Sequence, residues 1–319
     1  MQNNKALIVS RQGLGDGLII MVLASHLKKE GFDIHFCHRL FHELKSYFPH
    51  HHFLDFPKDY NIKDFQDFDL IIVEDQNHPF IKFLKEKRSF FKKIFFIYPS
   101  LNKKGLKNLP KEDFFCLKDF SMVDNMLFFL KHLKEKKLLD LSLKDIKKTN
   151  DIVFKKDLFH KKHKKRVLIH PLSNSPLKNW RQNRFILLSK KLEKMGFEVV
   201  FILAFHELKN WEDKDIKIKT FKDFEKLADY IYESSFLIGN DSGPAHLASN
   251  LNIPSLVIAS NKNKMKLWKP DFYPSKLLAA PKLIPNLNFL RLRNKYWSYF
   301  ISVKKVFKNF NLHFLNHCK

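Results

Sequence analysis

Short apolar runs separated by stretches of helical spacing, once from residue 6 and again from residue 166, constrain the fold of this chain more than any other feature. Residues 6–10 read as a buried strand, residues 11–17 as a turn with three glycines, and residues 18–29 as a helix closed by Gly31. Residues 32–37, 69–73 and 93–98 follow as further strands. The pattern restarts with a strand at 166–170, a helix at 185–194 closed by Gly196, a strand at 197–203 and a helix at 224–233. A strand at 236–239, a helix at 243–250 and a strand at 254–259 complete it. Strands alternating with helices predict two α/β halves, each with a parallel sheet covered by helices. Ligand would then bind in a central cleft, at the carboxyl ends of strands in the two halves. The expected division is residues 1–150, residues 151–290 and a basic, aromatic helix at 291–319, with the lysine-rich stretch 131–165 joining the halves.

At 319 residues the chain has room for two cores. Its three cysteines, Cys37, Cys116 and Cys318, are scattered and suggest neither a disulfide framework nor a zinc site. His50, His51 and His52 form a run without a carboxylate or cysteine at ligand spacing, read as loop, so no metal is expected. No apolar run reaches the eighteen or so residues that span a bilayer, and a cytoplasmic location is expected. The net charge of +25 is uneven: residues 101–166 carry 19 Lys/Arg against 9 Asp/Glu, and residues 251–319 carry 13 against 1. Such surfaces favour phosphate-rich polyanions or an anionic membrane face, although lysines on solvated faces would look the same. Trp297, Phe300, Val303, Phe307, Phe310 and Phe314 recur three and four apart, the stripe of a helix that packs back on the protein or, as the alternative reading, lies on a membrane surface.

Three segments carry chemistry. In residues 238–256 a buried strand ends at Asn240-Asp241-Ser242, which offer N-cap oxygens, and Gly243-Pro244 begins a helix. The N–H groups and positive dipole end of that helix suit a phosphate or diphosphate, with His246 four residues beyond Ser242 on the same face. Asp16 follows the first strand among Gly13, Gly15 and Gly17. A carboxylate there can accept a proton from an incoming hydroxyl, or act as a plain N-cap. A dinucleotide fingerprint fits poorly, since its third glycine would fall on Leu18 and no carboxylate closes the second strand. The third segment, His170-Pro171 to Trp180, brings Lys178 to a strand end as a point charge for phosphate.

Asn240 to Ala248 resembles the Asp-Ser/Thr-Gly-x-x-His-x-Ala motif of the lipopolysaccharide heptosyltransferases, glycosyltransferase family 9. Gly13-Leu-Gly-Asp16 and His170-Pro171 to Trp180 are similar to that family's two other landmarks, in the same order. The resemblance implies a GT-B fold of two Rossmann-like domains facing a central cleft, acceptor on the first and nucleotide-sugar on the second. It makes Asp16 the general base, Lys178 a contact to donor phosphate, and Asp241, Ser242, Gly243 and His246 a cradle for the donor. Glu207 would match a carboxylate that binds the nucleotide ribose. It implies no cofactor and no metal. The implied partners are an ADP-heptose donor and a phosphorylated lipid or oligosaccharide acceptor, with peripheral contact at the inner membrane and no specific nucleic acid. Residues 260–265 depart from the family, which usually shows a Phe-Gly-Pro-Thr-like loop there. Two alternatives stay open: another nucleotide-sugar serving capsule or glycan synthesis, or a non-catalytic polyanion-binding protein of the same fold.

Overall fold

The computed structural model describes residues 4–100, 110–137, 146–212, 214–260, 262–281 and 296–317. The chain divides into two compact units, Met1–Val153 and Phe154–Lys319.

The first unit holds six parallel strands, β1 (Lys5–Val9), β2 (Asp33–Cys37), β3 (His52–Leu54), β4 (Leu70–Glu74), β5 (Ile94–Tyr98) and β6 (Phe114–Phe115), in the order β3-β2-β1-β4-β5-β6. β1 lies between β2 and β4, with Leu7 in register with His35 on one side and Ile71 on the other. Ala6 through Val9 and all five residues of β4 are buried, the continuous apolar run of a strand covered on both faces. The short strands β3 and β6 were not expected from the sequence; at three and two residues they lack a readable alternation.

Helix α1 (Leu14–Lys29) begins four residues before the predicted position, so Gly15, Asp16 and Gly17 occupy its first turn rather than a loop. The Gly17 N–H donates to Gly13 O at 3.0 Å, closing that turn. Gly17 is small for a reason: a Cβ there would stand 2.5 Å from Phe41 and 2.8 Å from the His38 ring. From Leu18 to Leu27 every residue of α1 is buried, so its apolar character runs right round the helix and no single stripe marks its start. At the other end Gly31 takes φ +87°, a left-handed conformation that glycine adopts without strain. α2 (Pro79–Glu86) and α3 (Met122–Glu135) follow, the latter opened by a capping box of Ser121 and Asp124. Part of the stretch expected to join the halves, residues 138–145, lies outside the described residues.

The second unit repeats the plan. Its strands β7 (His163–His170), β8 (Glu198–Ile202), β9 (Ile218–Lys219), β10 (Ser234–Asn240), β11 (Ser255–Ala259) and β12 (Ser275–Ala279) are parallel in the order β12-β11-β10-β7-β8-β9. Counted from its own first strand this is the order of the first sheet, so each unit reverses its winding between its first and fourth strands. β7 starts at His163, three residues before the expected strand, inside the lysine-rich stretch. Helices α4 (Gln182–Glu193), α5 (Phe224–Tyr232), α6 (Gly243–Asn250) and α7 (Lys262–Trp268) lie between its strands.

α8 (Val303–His317) packs on this second unit. Trp297, Ile301, Val306 and Phe310 join the core of Phe236, Ile238 and Val199, with Phe310 ringed by Phe236 at 5.0 Å and Phe197 at 5.3 Å. One position of the predicted stripe changes: Phe300, in a short 3-10 turn ahead of the helix, is half exposed, and Val306, outside that stripe, occupies the core. Among the described residues no helix is long and apolar enough to cross a membrane.

Candidate active site

In a doubly wound sheet, ligands bind beyond the carboxyl ends of the strands where the winding reverses. That point falls between β1 and β4 in the first unit and between β7 and β10 in the second. The predicted site residues gather at these two places.

In the first unit β1 runs out into Ser10 and Arg11, and β4 ends on Glu74. The Glu74 carboxylate is buried and accepts from the Arg11 backbone N–H at 3.1 Å and the Ser10 hydroxyl at 3.4 Å. Burial, and then the negative charge of Asp16, push its pKa up to about 8. Asp16 itself is half-buried in the first turn of α1, where the helix dipole favours an anion. His38, just past β2, holds the glycine turn in place. Its Nδ1 accepts from the Leu40 N–H at 3.3 Å, so the hydrogen is on Nε2, which donates to Gly13 O at 3.1 Å. Burial lowers His38 to about 4, keeping the ring neutral for this role.

In the second unit β7 ends at His170 and β10 at Asn240. The strands meet at a glycine because a Cβ on Gly239 would stand 2.6 Å from His170 O. Asn240, expected as a capping oxygen, is instead fully buried: Oδ1 accepts from the Trp180 N–H at 2.9 Å and Nδ2 donates to Pro171 O. It clamps the 170–180 segment to the strand end, because a buried amide must satisfy all its groups. The Ser242 hydroxyl lies 3.2 Å from Asn240 O and 2.9 Å from His170 Nδ1, and makes no capping bond to the helix that follows. The first turn of α6 is therefore left uncapped by its own N-cap side chain, as an anion site requires. Burial lowers His170 to about 4, so it meets Ser242 as a neutral ring.

Lys178, at the end of a 3-10 turn over Pro176–Lys178, stands 3.6 Å from Asp241. The carboxylate thereby parks a cation, still half exposed, beside the helix start. His246 is buried and neutral, its pKa lowered by burial against the opposing pull of Asp241, and its ring faces the Trp268 backbone. It braces the turn from within. Glu207 follows β8, the neighbour of β7, and accepts from the Ala204 N–H at 2.8 Å to close a 3-10 turn. The structure thus brings Lys178 to the segment after β7 and Asp241, Ser242, Gly243 and His246 to the segment after its neighbour β10, with Glu207 in the turn after β8. Asp16 and its glycines form the corresponding site of the first unit.

Glu74 and His170 were missed as site residues in the sequence. Glu74 closes an apolar run with a charge, a legible signal, but its burial against Asp16 depends on β4 lying beside β1. The histidine run also needs correction. His52 opens β3, and β2 brings it the carboxylate of Asp33 that its own segment lacks, with His35 beside it.

Two parallel six-stranded α/β units are the domains of the GT-B fold, and solved structures agree. The family 9 glycosyl transferase from Veillonella parvula DSM 2008 superposes with a TM-score of 0.73 over 99% of both chains at 15% identity. The E. coli heptosyltransferase WaaC with ADP gives 0.68 over 97% of this chain and 99% of that one at 13% identity. Within that class, residues 120–271 match the family model of glycosyltransferase family 9 (heptosyltransferase). Lipopolysaccharide heptosyltransferase 1 of Campylobacter coli is 30% identical over 135 residues, an alignment that spans 34% of this chain and 40% of that protein.

Proposed function

We propose that the protein is an inverting, metal-independent glycosyltransferase that moves heptose from an ADP-linked donor onto a lipopolysaccharide core acceptor. The observation that carries this reading is the uncapped start of α6 with Lys178 held beside it by Asp241. Helix dipole, backbone N–H groups and a lysine together can take up the charge of a departing diphosphate. Glu207, in the 3-10 turn after β8, would bind the ribose hydroxyls of the nucleotide.

Asp16 is the proposed base. It takes the proton of the acceptor hydroxyl as that oxygen attacks the anomeric carbon, and the bond from that carbon to the diphosphate breaks, its electron pair leaving with ADP. Inversion follows from attack on the face opposite the leaving group. Glu74 keeps its proton near neutrality, so Asp16 faces a neutral acid rather than a second carboxylate. The first unit would bind acceptor and the second donor. The basic surfaces suit a phosphorylated acceptor and contact with the cytoplasmic face of the inner membrane.

Asp16→Asn should reduce transfer by about a hundredfold or more, the scale of a lost general base, while ADP affinity stays within twofold of wild type. Turnover retained in that variant would refute the base assignment. A thermal-shift series of ADP-, UDP- and GDP-sugars tests the donor, and preference for UDP or GDP would refute ADP-heptose.

A further inference from the structure

Asp33, His35 and His52 lie near the edge of the first sheet, away from the strand ends that carry Asp16 and Glu74. Asp33 and His35 are two residues apart on β2 and share a face. His52 on β3 pairs with His35 in parallel register, which sets the two imidazoles side by side. His35 Nε2 is 3.2 Å from Asp33 Oδ2 and His52 Nε2 is 3.1 Å from Asp33 Oδ1. The three ligand atoms all fall within 4.8 Å of one another. Zinc binds nitrogen and oxygen at about 2.0–2.1 Å, which separates neighbouring ligand atoms of a tetrahedral site by about 3.3 Å. The cluster therefore needs only small side-chain rotations to surround an ion.

The setting is also suitable. The His35 ring stacks on His52 at 4.9 Å and meets the edge of Phe68 at 5.2 Å, so it is held in place on a rigid strand.

We propose that Asp33, His35 and His52 form a binding site for a borderline divalent cation of the zinc type, with water completing the coordination. Two imidazoles and one carboxylate are a ligand set that zinc favours over magnesium or calcium. On binding, each imidazole presents Nε2 to the ion and keeps its hydrogen on Nδ1. The physical consequence is structural: β3 is a three-residue edge strand, and the ion would tie it to β2. The site is independent of the transferase reading.

The competing description is a bare network in which Asp33 accepts from both histidines. Titrating the metal-stripped full chain with zinc chloride by calorimetry, and with cobalt(II) as an optical probe, separates them. His52→Ala is the variant of choice because its side chain is 62% exposed, so the fold does not rest on it. Wild type should take up one equivalent that His52→Ala binds at least about tenfold more weakly. Zinc should also raise the Tm of wild type and not of the variant. Asp33→Asn, which keeps the acceptor and loses the charge, should weaken zinc and abolish the tetrahedral cobalt bands. Absence of zinc uptake by wild type, or equal titrations of wild type and His52→Ala, would overturn the site.

Discussion

Glu74→Gln is the substitution whose effect follows most directly from the geometry. The carboxyl of Glu74 has a pKa of about 8 in the folded protein against an ordinary value of 4.5, because burial and the Asp16 charge both penalise its anion. Between those two values the folded state binds more protons than the unfolded state, so this group makes stability fall as pH rises. Its penalty is absent below about pH 4.5, grows by up to about 1.4 kcal/mol per pH unit, and levels off above pH 8. The shift of about 3.5 units bounds the total at roughly 5 kcal/mol, and relaxation of a charged interior will bring the measured value below that ceiling. Glutamine has the same shape, its carbonyl oxygen can accept from Arg11 N–H and Ser10 as the acid does, and it cannot ionise. Urea denaturation of wild type and Glu74→Gln at a series of pH values from 5 to about 8.5 reads the group together with its coupling to Asp16, since titrations that neither group touches cancel in the difference. The two should be close in stability at pH 5, with the variant gaining on wild type by several kcal/mol at the alkaline end. Parallel pH profiles would refute the account of Glu74 as a buried, protonated acid.

Lys178→Ala should raise the Kd for ADP about tenfold, the scale of one charge-assisted phosphate contact, read by isothermal calorimetry. An unchanged Kd would remove Lys178 from the diphosphate site. Gly239→Ala places a methyl 2.6 Å from His170 O and must push β7 and β10 apart. It should cost about 1–3 kcal/mol in urea denaturation. It should also weaken ADP binding, because the site residues hang from those two strand ends.

Local chemistry made much of this protein legible. A fully buried strand is a run of apolar residues whatever its neighbours, and β4, β5, β8 and β11 stand within a residue or so of where that run predicts them. The Gly243-Pro244 helix start and Lys178 two residues before Trp180 were equally readable, since caps and turns are set by residues adjacent in sequence. The start of α1 was not. A helix buried all round carries no stripe to mark its first turn, and the requirement for glycine at position 17 comes from His38 and Phe41.

The sequence by itself determined that there are two α/β halves, with an acid after the first strand of one and a Gly243-Pro244 helix start after a buried strand of the other. The tertiary structure alone decided which strands are neighbours, and with them the partners of every buried polar group. Placing β4 beside β1 turns Glu74 from a charged strand end into a protonated acid facing Asp16. Placing β10 beside β7 turns Asn240 from a cap into the clamp on Trp180 and Pro171. Setting β3 against β2 assembles Asp33, His35 and His52. Proton affinity, hydrogen-bond satisfaction and ligand geometry depend on atoms a few ångströms away in space, and in a parallel sheet those atoms come from strands many residues apart in sequence.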